Sequence, residues 1–431
     1  MNVTFVTFGC RLNRAEALDL EAKYRAAGHT IVDLDTGTVP DVIILRGCSV
    51  TAKAQRDCEK TIAHLRQRFP SADLRLMGCL PQARPVGTVP RGSQAKSAGT
   101  VPTNLSSSVA AGEPVPMTTS RAYLKIQDGC SGKCAFCIVP TFRGPPRSVP
   151  FQEVLARARA FLVAGYHELV VTGCNLALYK SEGHTLSSLL SALAEIRPTA
   201  GTVPLHPTTG TVPLHLGTVP THRIRLGSLE PGICDEQILD VIEEHPNICR
   251  FLHLSLQSGS DAVLRRMNRP YTRAHVDAFC TEAFRRLGPR LALGADVIAG
   301  FPGETDADHE LTKHLLANSF DPTASSPTSF THLHVFPYSE RPGTPAATLD
   351  GALPRAVRLA RAKELTALGK ENLRLVAQSF IGQTVEVCVE RGNDHGWTAE
   401  YLPCRLATPA PRRSLVTVQV KSVDDNGDLI A

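Results

Sequence analysis

Hydrophobic and polar positions alternate along the chain in a way that predicts repeated strand–helix units. In the first 85 residues, β-rich runs such as NVTFVTF (2–8), DVIILR (41–46) and DLRLM (73–77) alternate with amphipathic helical patterns, an order that predicts a parallel sheet. Five further strand patterns end in polar or glycine-containing turns: ELVVTGCN (168–175), HRIRLGSLEP (222–231), FLHLSLQSG (251–259), ALGADVIAGFPGE (292–304) and THLHVFPYS (331–339). Together they predict a parallel α/β barrel.

Changes in composition and periodicity divide the chain into segments. A Gly/Ser/Pro-rich stretch predicts a linker, and short strands between GNDHG, PAPRRS and DNGD turns near the end predict a small antiparallel β-barrel. The expected segments are an N-terminal parallel-sheet α/β domain (1–85), the linker (86–117), a central partial (β/α) barrel (118–350), a connecting helix (351–377) and the C-terminal antiparallel β-barrel (378–431). The expected fold class is therefore α/β.

The tetrapeptide GTVP interrupts this pattern six times, at irregular spacing. Because Gly-Thr-Val-Pro can neither hold a helix nor complete a sheet ladder, we interpret the repeats as surface loops rather than a solenoid. The repeats start at Gly37, Gly87, Gly99, Gly201, Gly210 and Gly217. The insert 198–222 lies within the central domain, and we expect such inserts to be neutral for function.

The composition of the chain argues against a membrane protein and against an exported, disulfide-bonded protein. Of the 431 residues, 42% are hydrophobic and 20% charged, which is typical of a globular protein with several domains. No apolar run approaches the roughly 18 residues that a membrane helix needs, and no signal-peptide pattern opens the sequence. We therefore expect a cytoplasmic protein without a membrane partner, whose 13 cysteines serve metal binding or catalysis rather than disulfides. The net charge of +5 permits a nucleic-acid partner without arguing for one.

Three cysteines of the N-terminal domain, Cys10, Cys48 and Cys79, each follow a glycine at the end of a predicted strand. Since open α/β sheets bind ligands at the carboxyl ends of their strands, we expect the three thiols to converge; scattered buried cysteines are the alternative. Cysteines in helices or strands without ligand spacing are expected to serve packing, namely Cys58, Cys234, Cys249, Cys280, Cys388 and Cys404.

A second group has the spacing C-x3-C-x2-C and comprises Cys130, Cys134 and Cys137 within DGCSGKCAFCIVP (128–140). Thiolates are soft ligands suited to zinc or iron–sulfur clusters. A structural zinc ion normally takes four protein ligands, so three thiols point to a [4Fe-4S] cluster with one open iron. Zinc completed by a distant cysteine such as Cys174 is the alternative.

This motif, with Phe136 before its last cysteine, resembles the signature of radical S-adenosylmethionine enzymes, and its surroundings resemble the methylthiotransferase family among them. The matching segments are TFGCRLNRAEAL (7–18), RGCSVTAKA (46–54), MGCLPQ (77–82), IQDGCSGKCAFCIVP (126–140), VVTGCNLALY (170–179), RIRLGSLEP (223–231), FLHLSLQSGSDAVLRRMNRPYT (251–272), DVIAGFPGET (296–305) and HVFPYSERPGTPA (334–346). The likeness spans almost the whole chain apart from the GTVP inserts.

The resemblance implies two [4Fe-4S] clusters and S-adenosylmethionine. The two ligand sets are Cys130, Cys134 and Cys137 for the catalytic, radical-generating cluster, and Cys10, Cys48 and Cys79 for an auxiliary cluster whose open iron carries the sulfur. A 5′-deoxyadenosyl radical would remove a hydrogen from an unactivated C–H bond, and a methylthio group would take its place. Acid–base side chains cannot do this step, so the cofactors supply it.

The resemblance also implies cofactor contacts at the carboxyl ends of the barrel strands. The implied residues are Thr172, Gly173 and Asn175 for the methionine moiety, Glu230, Gln257 and Ser258 for the cavity wall, and Gly300 near the adenine. Turn formation is the alternative role for each. The chain departs from the family pattern at Cys174, beside the expected cofactor site, and in TFRGPPRS (141–148), which contains Arg143 and Arg147.

The C-terminal segment resembles the TRAM domain, an RNA-binding module. Its basic and aromatic residues suit phosphate contact and base stacking, although a solvated charged face is the alternative. The expected RNA-binding residues are Arg391, Trp397, Tyr401, Arg405, Arg412 and Arg413.

The segment GCRLNRAEA around Cys10 favours one branch of the family, that which acts on N6-threonylcarbamoyladenosine 37 of tRNA, over the isopentenyladenosine branch, which tends to read GCQMN. The expected reaction is methylthiolation at C2 of that adenosine in the anticodon loop. An electron donor and a sulfur source are further expected partners. Alternatives are isopentenyladenosine 37, a ribosomal-protein aspartate, and a non-catalytic metal-cluster RNA-binding protein.

Overall fold

The computed structural model describes residues 1–34, 37–79, 119–197, 222–233, 237–317, 330–390 and 392–431. The expected linker 86–117, five of the six GTVP repeats, nearly all of the insert 198–222, Cys234 and Arg391 lie outside these ranges. The chain divides into two compact units, Met1–Pro116 and Met117–Ala431. Within the described ranges, no helix has both the length and the apolar character required to span a membrane.

The first unit contains a four-stranded parallel sheet, as the alternating pattern predicted. Its elements are β1 (Asn2–Thr7), α1 (Arg11–Ala26), β2 (Thr30–Ile31), β3 (Val42–Gly47), α2 (Ala52–Arg68) and β4 (Asp73–Gly78). The strand order is β2-β1-β3-β4, with every neighbouring pair parallel. Strands β1, β3 and β4, which precede the three cysteines, are therefore adjacent.

The apolar side chains of β3 are divided between the two faces of this sheet. Ile43 and Leu45 pack in one cluster with Cys58 of α2, whereas Ile44 packs in the other with Leu20 of α1. A strand covered on both faces reads as the continuous apolar run VIIL, which is typical of parallel sheets.

The second unit begins with the expected parallel barrel. Its elements are β5 (Ala122–Lys125), β6 (Gln127–Asp128), α3 (Val139–Arg143), β7 (Arg147–Ser148), α4 (Phe151–Val163), β8 (Glu168–Thr172), β9 (Lys180–Ser181), β10 (His184–Thr185), α5 (Leu186–Ala194), β11 (Arg223–Leu226), β12 (Ser228–Leu229), α6 (Gln237–Glu244), β13 (Phe251–Gln257), α7 (Asp261–Arg266), α8 (Arg273–Leu287), β14 (Ala292–Ala299), α9 (Asp306–Ala317) and β15 (Phe330–Pro337). The parallel orders β11-β8-β5 and β12-β13-β14-β15 meet at Gly227, between β11 and β12. They form the partial (β/α) barrel predicted from the sequence.

A long helix and a curled sheet complete this unit. Its elements are α10 (Arg355–Gln378), β16 (Thr384–Val389), β17 (His395–Thr398), β18 (Pro403–Arg405), β19 (Leu415–Gln419), β20 (Ser422–Val423) and β21 (Leu429–Ile430). The order is β19-β16-β17-β18-β21-β20, antiparallel except for the pair β18–β21, which confirms the antiparallel C-terminal architecture. Asn372 of α10 donates to the carbonyls of Leu316 and Phe330, and so ties the helix to the barrel.

A buried ion-pair network, the Glu168 network, joins the C-terminal sheet to the barrel. The Glu168 carboxylate is fully buried and lies 2.7 Å from Arg225 Nε and 2.6 Å from Arg223 Nη2. The two arginines also donate to backbone carbonyls of the sheet, those of Glu386, Trp397, Thr398 and Ala399. One carboxylate therefore orients both arginines toward the C-terminal sheet.

Candidate functional site

The C-x3-C-x2-C motif lies on the loop between β6 and α3, where its sulfur atoms converge. The Gly132 N–H donates to Cys130 Sγ at 3.2 Å. A Cβ placed on Gly132 would lie 3.2 Å from Cys130 Sγ and 3.7 Å from Cys134 Sγ, so both sulfurs face the same residue. The Cys137 N–H donates to the Cys134 carbonyl at 3.1 Å, which keeps the third cysteine next to the second.

The environment of these thiols fits a metal cluster that is bound with release of protons. Burial raises the pKa of Cys137 to about 11, and the neighbouring Cys134 and Cys130 thiols add to the effect. A thiol with such a pKa is protonated at neutral pH, so iron must displace its proton on binding. Three convergent, partly buried soft ligands on one loop match a [4Fe-4S] cluster with one open iron.

Cys174 does not suit the alternative of a four-cysteine zinc site. Its thiol lies 3.5 Å from Asp128 Oδ1, and burial raises its pKa to about 12. Burial alone would raise the pKa of Asp128, but Lys125 and Arg143 hold it at about 2 through ion pairs of 2.7 and 3.0 Å. The Cys174 thiol therefore faces the Asp128 carboxylate, which disfavours deprotonation of the thiol. The same carboxylate is the ion-pair partner of Arg143.

Gly129 and Gln127 fix the backbone that leads into the cysteine loop. Gly129 has φ of +69°, and a Cβ there would lie 2.1 Å from the Pro145 carbonyl oxygen, so only glycine fits. Gln127 donates to the Gly129 carbonyl at 2.7 Å and accepts from the Asn175 N–H at 3.0 Å. The fully buried Gln127 thus links the cysteine loop to the carboxyl end of β8.

A chain of three polar side chains, the Arg269 network, connects Cys134 to the predicted cofactor residues. Arg269 Nη1 lies 3.0 Å from Cys134 Sγ, and its Nη2 lies 2.8 Å from Glu230 Oε1. Asn175 Nδ2 donates to the other Glu230 oxygen at 2.6 Å. Although burial lowers the pKa of Arg269, the groups around it, Tyr271, Cys134 and Glu230, raise it above its usual value, so the guanidinium remains charged.

The other residues expected at the cofactor fall into two groups. Thr172 and Gly173 lie at the end of β8, with Gly173 against Gln127, and Gln257 ends β13 with φ of +66°. Ser258 and Gly300 are engaged elsewhere: the Ser258 hydroxyl lies 3.3 Å from the Thr312 hydroxyl of α9, and the Gly300 N–H donates to the Glu304 carboxylate. Arg269 thus connects Asn175 and Glu230 to Cys134. Ser258 instead contacts helix α9, and Gly300 contacts Glu304 of the FPGE turn.

The three N-terminal cysteines follow adjacent strands of the first unit. Cys79 N–H donates to the Gly47 carbonyl at 3.1 Å, and a Cβ on Gly9 would lie 2.6 Å from Cys48 Cβ, so the strand ends approach closely. Burial raises the pKa of Cys48 to about 11, and Cys10 and Cys79 contribute to the increase. The three thiols are therefore near neighbours, a ligand set equivalent to that of the barrel loop.

The predicted RNA-stacking rings lie at the base of the barrel. Tyr401 stacks on Trp397 with ring centroids 4.5 Å apart, and it also lies 4.6 Å from His332 and 4.8 Å from Phe251. The Arg225 guanidinium covers the same ring at 4.7 Å. A ring surrounded in this way does not fit the role of an open base-stacking platform, because its faces are used within the chain.

The predicted basic RNA contacts also differ from one another. Arg412 Nε donates to the Ser120 hydroxyl at 2.9 Å, and Arg413 Nε donates to the Thr119 carbonyl at 3.0 Å. Arg405 is 63% exposed and lies 3.6 Å from Asp428. Among the described members of the predicted set, Arg405 is therefore the arginine best placed to meet RNA.

Comparison with known proteins identifies the family. Residues 124–316 match the Radical SAM superfamily and residues 2–95 match the uncharacterized protein family UPF0004. A tRNA-2-methylthio-N(6)-dimethylallyladenosine synthase from Pelodictyon phaeoclathratiforme is 30% identical, over 89% of this chain and 86% of that protein. The chain belongs to the radical S-adenosylmethionine methylthiotransferase family. A threonylcarbamoyladenosine tRNA methylthiotransferase MtaB from Rickettsia prowazekii is 29% identical, over 93% and 90% of the two chains.

A solved structure agrees at the level of the fold. The radical S-adenosylmethionine methyltransferase TsrM from Kitasatospora setae superposes with a TM-score of 0.51, at 14% identity, over 80% of this chain and 77% of that one. As a member of the methylthiotransferase family, of the MtaB type, the chain is an enzyme that uses S-adenosylmethionine and a [4Fe-4S] cluster. The predicted family, enzyme class and fold class are confirmed.

Proposed function

We propose that this methylthiotransferase modifies tRNA by installing a methylthio group at C2 of N6-threonylcarbamoyladenosine 37. The observation that carries the proposal is the presence of two convergent thiol triads, one at the ends of adjacent strands in the first unit and one on the loop after β6 in the second. Of these, Cys130, Cys134 and Cys137 are partly buried beside a cation, and Cys48 and Cys79 are buried next to Cys10. The MtaB protein of Rickettsia prowazekii, similar over 93% of this chain, supports the choice of substrate.

We assign Cys130, Cys134 and Cys137 to the radical-generating cluster, which with S-adenosylmethionine supplies a 5′-deoxyadenosyl radical for hydrogen abstraction. The chain itself contributes position and charge. Arg269 donates toward Cys134, holds Glu230, and through it orients the Asn175 amide. Asn175 follows β8 and Glu230 follows β12, at the carboxyl ends of barrel strands, where such folds bind their ligands.

We assign Cys10, Cys48 and Cys79 to a second [4Fe-4S] cluster, which would supply the sulfur. Replacing a C–H bond by C–S–CH3 requires a sulfur atom and a methyl group. A second S-adenosylmethionine would donate the methyl group and leave as S-adenosylhomocysteine, and the second triad gives the sulfur a protein site. Under this proposal residues 1–85 form the auxiliary-cluster domain and 118–350 the radical domain. Residues 351–377 connect the latter to an RNA-binding domain at 378–431, in which the exposed Arg405 supports contact with the anticodon loop. An electron donor and a sulfur source complete the partners.

The test of this function is mass spectrometry of nucleosides digested from the tRNA of a strain that lacks the gene, beside its parent. We expect the 2-methylthio form of N6-threonylcarbamoyladenosine to disappear and the unthiolated nucleoside to accumulate. Loss of the methylthio form of isopentenyladenosine instead would move the substrate to the other tRNA branch. An unchanged nucleoside profile would contradict a tRNA substrate altogether.

Substitution of Arg269 is expected to change the reduction potential of the radical cluster. Arg269→Gln removes the cation that lies 3.0 Å from Cys134 Sγ, and loss of a positive charge beside a cluster disfavours reduction. We expect the reduction potential of the radical cluster to fall by on the order of 60 mV, a tenfold change in a one-electron equilibrium.

An electron paramagnetic resonance titration measures this shift directly. Arg285→Gln, which removes an exposed arginine of α8, is the matched control. A potential that is equal in the wild type and in Arg269→Gln, at full iron content, would contradict the role given to Arg269.

A further inference from the structure

A polar cluster lies on the inner strands of the barrel, away from the cysteine loop. His253 of β13 and His334 of β15 flank Asp296 of β14, with His253 Nε2 and His334 Nδ1 each 3.1 Å from Asp296 Oδ1. The Ser228 hydroxyl of β12 lies 3.5 Å from the other Asp296 oxygen. Four neighbouring strands thus direct their side chains to one point, which we call the inner polar cluster.

The inner polar cluster lies next to the Arg269 network, on the side further from the carboxyl ends of the strands. Ser228 belongs to the cluster and Glu230 belongs to the network, and the two lie two positions apart, with Leu229 between them. At about 3.3 Å per residue this separation corresponds to about 7 Å along the strand, with both side chains on the same face. The cluster therefore lies one layer deeper in the barrel than the residues proposed to orient the cofactor.

The chemistry of the cluster suits a polar group that can accept a hydrogen bond from His334. Asp296 accepts a hydrogen bond from His334 and lies in ion-pair contact with His253. Although burial opposes its charge, both histidines hold the pKa of Asp296 well below the usual range. Because Asp296 accepts from Nδ1 of His334, the Nε2 edge of that ring is the one that can contact a bound group. His253 is 1% exposed, whereas the His334 side chain is 45% exposed, so His334 is the member that a bound group can reach.

We propose that the inner polar cluster is the subsite for the N6 substituent of the target adenosine, and that His334 donates a hydrogen bond to the carboxylate of that substituent. The inference rests on the proposed function, since a threonylcarbamoyl group carries a carboxylate and a hydroxyl. A dimethylallyl group offers no hydrogen-bonding atom, so it would cover the exposed His334 side chain without replacing the hydrogen bonds that this side chain makes to water, which disfavours its binding. The subsite therefore selects the amino-acid class of substituent.

The experiment uses the reconstituted full-length enzyme and three synthetic anticodon stem-loops. They carry the threonylcarbamoyl group, its methyl ester, or the dimethylallyl group at the same adenosine. For His334→Phe we expect the KM for the acid substrate to rise about 10- to 100-fold, the range for loss of a charge-assisted hydrogen bond, while the KM for the ester changes little. His334→Gln, which retains an N–H donor, should recover part of the loss. His314→Phe, on the exposed face of α9, is the matched control.

Two comparisons decide the result. The wild type should prefer the acid over the ester about tenfold or more, which tests the subsite without any variant. If the wild type does not distinguish acid from ester, or if His334→Phe weakens both equally, the subsite is wrong and the proposed function stands. If the wild type modifies only the dimethylallyl stem-loop, both the proposed substrate and the proposed subsite are wrong.

Discussion

Replacement of Cys10, Cys48 and Cys79 together by alanine is expected to abolish methylthio transfer and to leave cleavage of S-adenosylmethionine intact. The three thiols are near neighbours at the ends of adjacent strands of the first unit, whereas the proposed radical cluster is held entirely by the loop after β6. Removing one ligand set should therefore lower the iron content from about eight to about four atoms per chain, the content of a single [4Fe-4S] cluster.

The measurement is a parallel assay of iron, of 5′-deoxyadenosine and of methylthio product. Cys58→Ala is the matched control, because Cys58 is a buried cysteine of the same unit that packs in the core beneath β3. It should retain both iron and product. Product formation by the triple variant, or loss of 5′-deoxyadenosine together with product, would contradict the division of labour between the two triads.

Glu168→Gln is expected to destabilise the second unit by about 3–5 kcal/mol, the usual range when one partner of a buried ion pair is removed. The substitution keeps the size of the side chain but leaves Arg223 and Arg225 buried without their carboxylate. Urea unfolding followed by the fluorescence of Trp397 measures the effect. Trp397 is the single tryptophan of the chain, and its carbonyl accepts from Arg223. Glu282→Gln, in an exposed pair with Arg285, should leave the free energy of unfolding almost unchanged.

The same network gives a pH dependence with a defined sign. Burial alone would raise the pKa of Glu168, but Arg225, Arg223 and Arg121 hold it far below its usual value. The stabilisation is therefore complete above the unfolded-state pKa of about 4.3 and is lost as the pH falls below that value. The difference between wild type and Glu168→Gln should shrink from pH 7 toward pH 3. A difference that stays constant over this range would contradict the assignment to the Glu168 carboxylate.

Features that depend on local pattern could be predicted from the sequence. Apolar runs gave the parallel strands of both units, and the glycine–cysteine pairs at strand ends placed Cys10, Cys48 and Cys79 on adjacent strands. The spacing within residues 128–140 was sufficient to bring Cys130, Cys134 and Cys137 together. In each case the deciding residues lie within a few positions of one strand or one turn.

Features that depend on contacts between residues far apart in the chain could not be predicted from the sequence. Arg269 is 135 residues from Cys134 in the chain, and nothing in the periodicity of MNRPYT distinguishes it from a surface arginine. Tyr401 has an aromatic ring of the kind that stacks on RNA bases, but this ring packs against Phe251 and Arg225 of the barrel. The role of an aromatic or charged side chain at such positions is decided by which element folds against it.

Burial of the cluster cysteines has a consequence for the chain before iron arrives. The pKa values of Cys48 and Cys137 are about 11, so their sulfurs are almost entirely thiols at neutral pH. The thiolate is the form that attacks disulfides and that peroxide oxidises, and it is scarce here. The same burial that makes iron compete with protons at Cys48 and Cys137 therefore protects these two sulfurs from oxidation until the clusters are assembled.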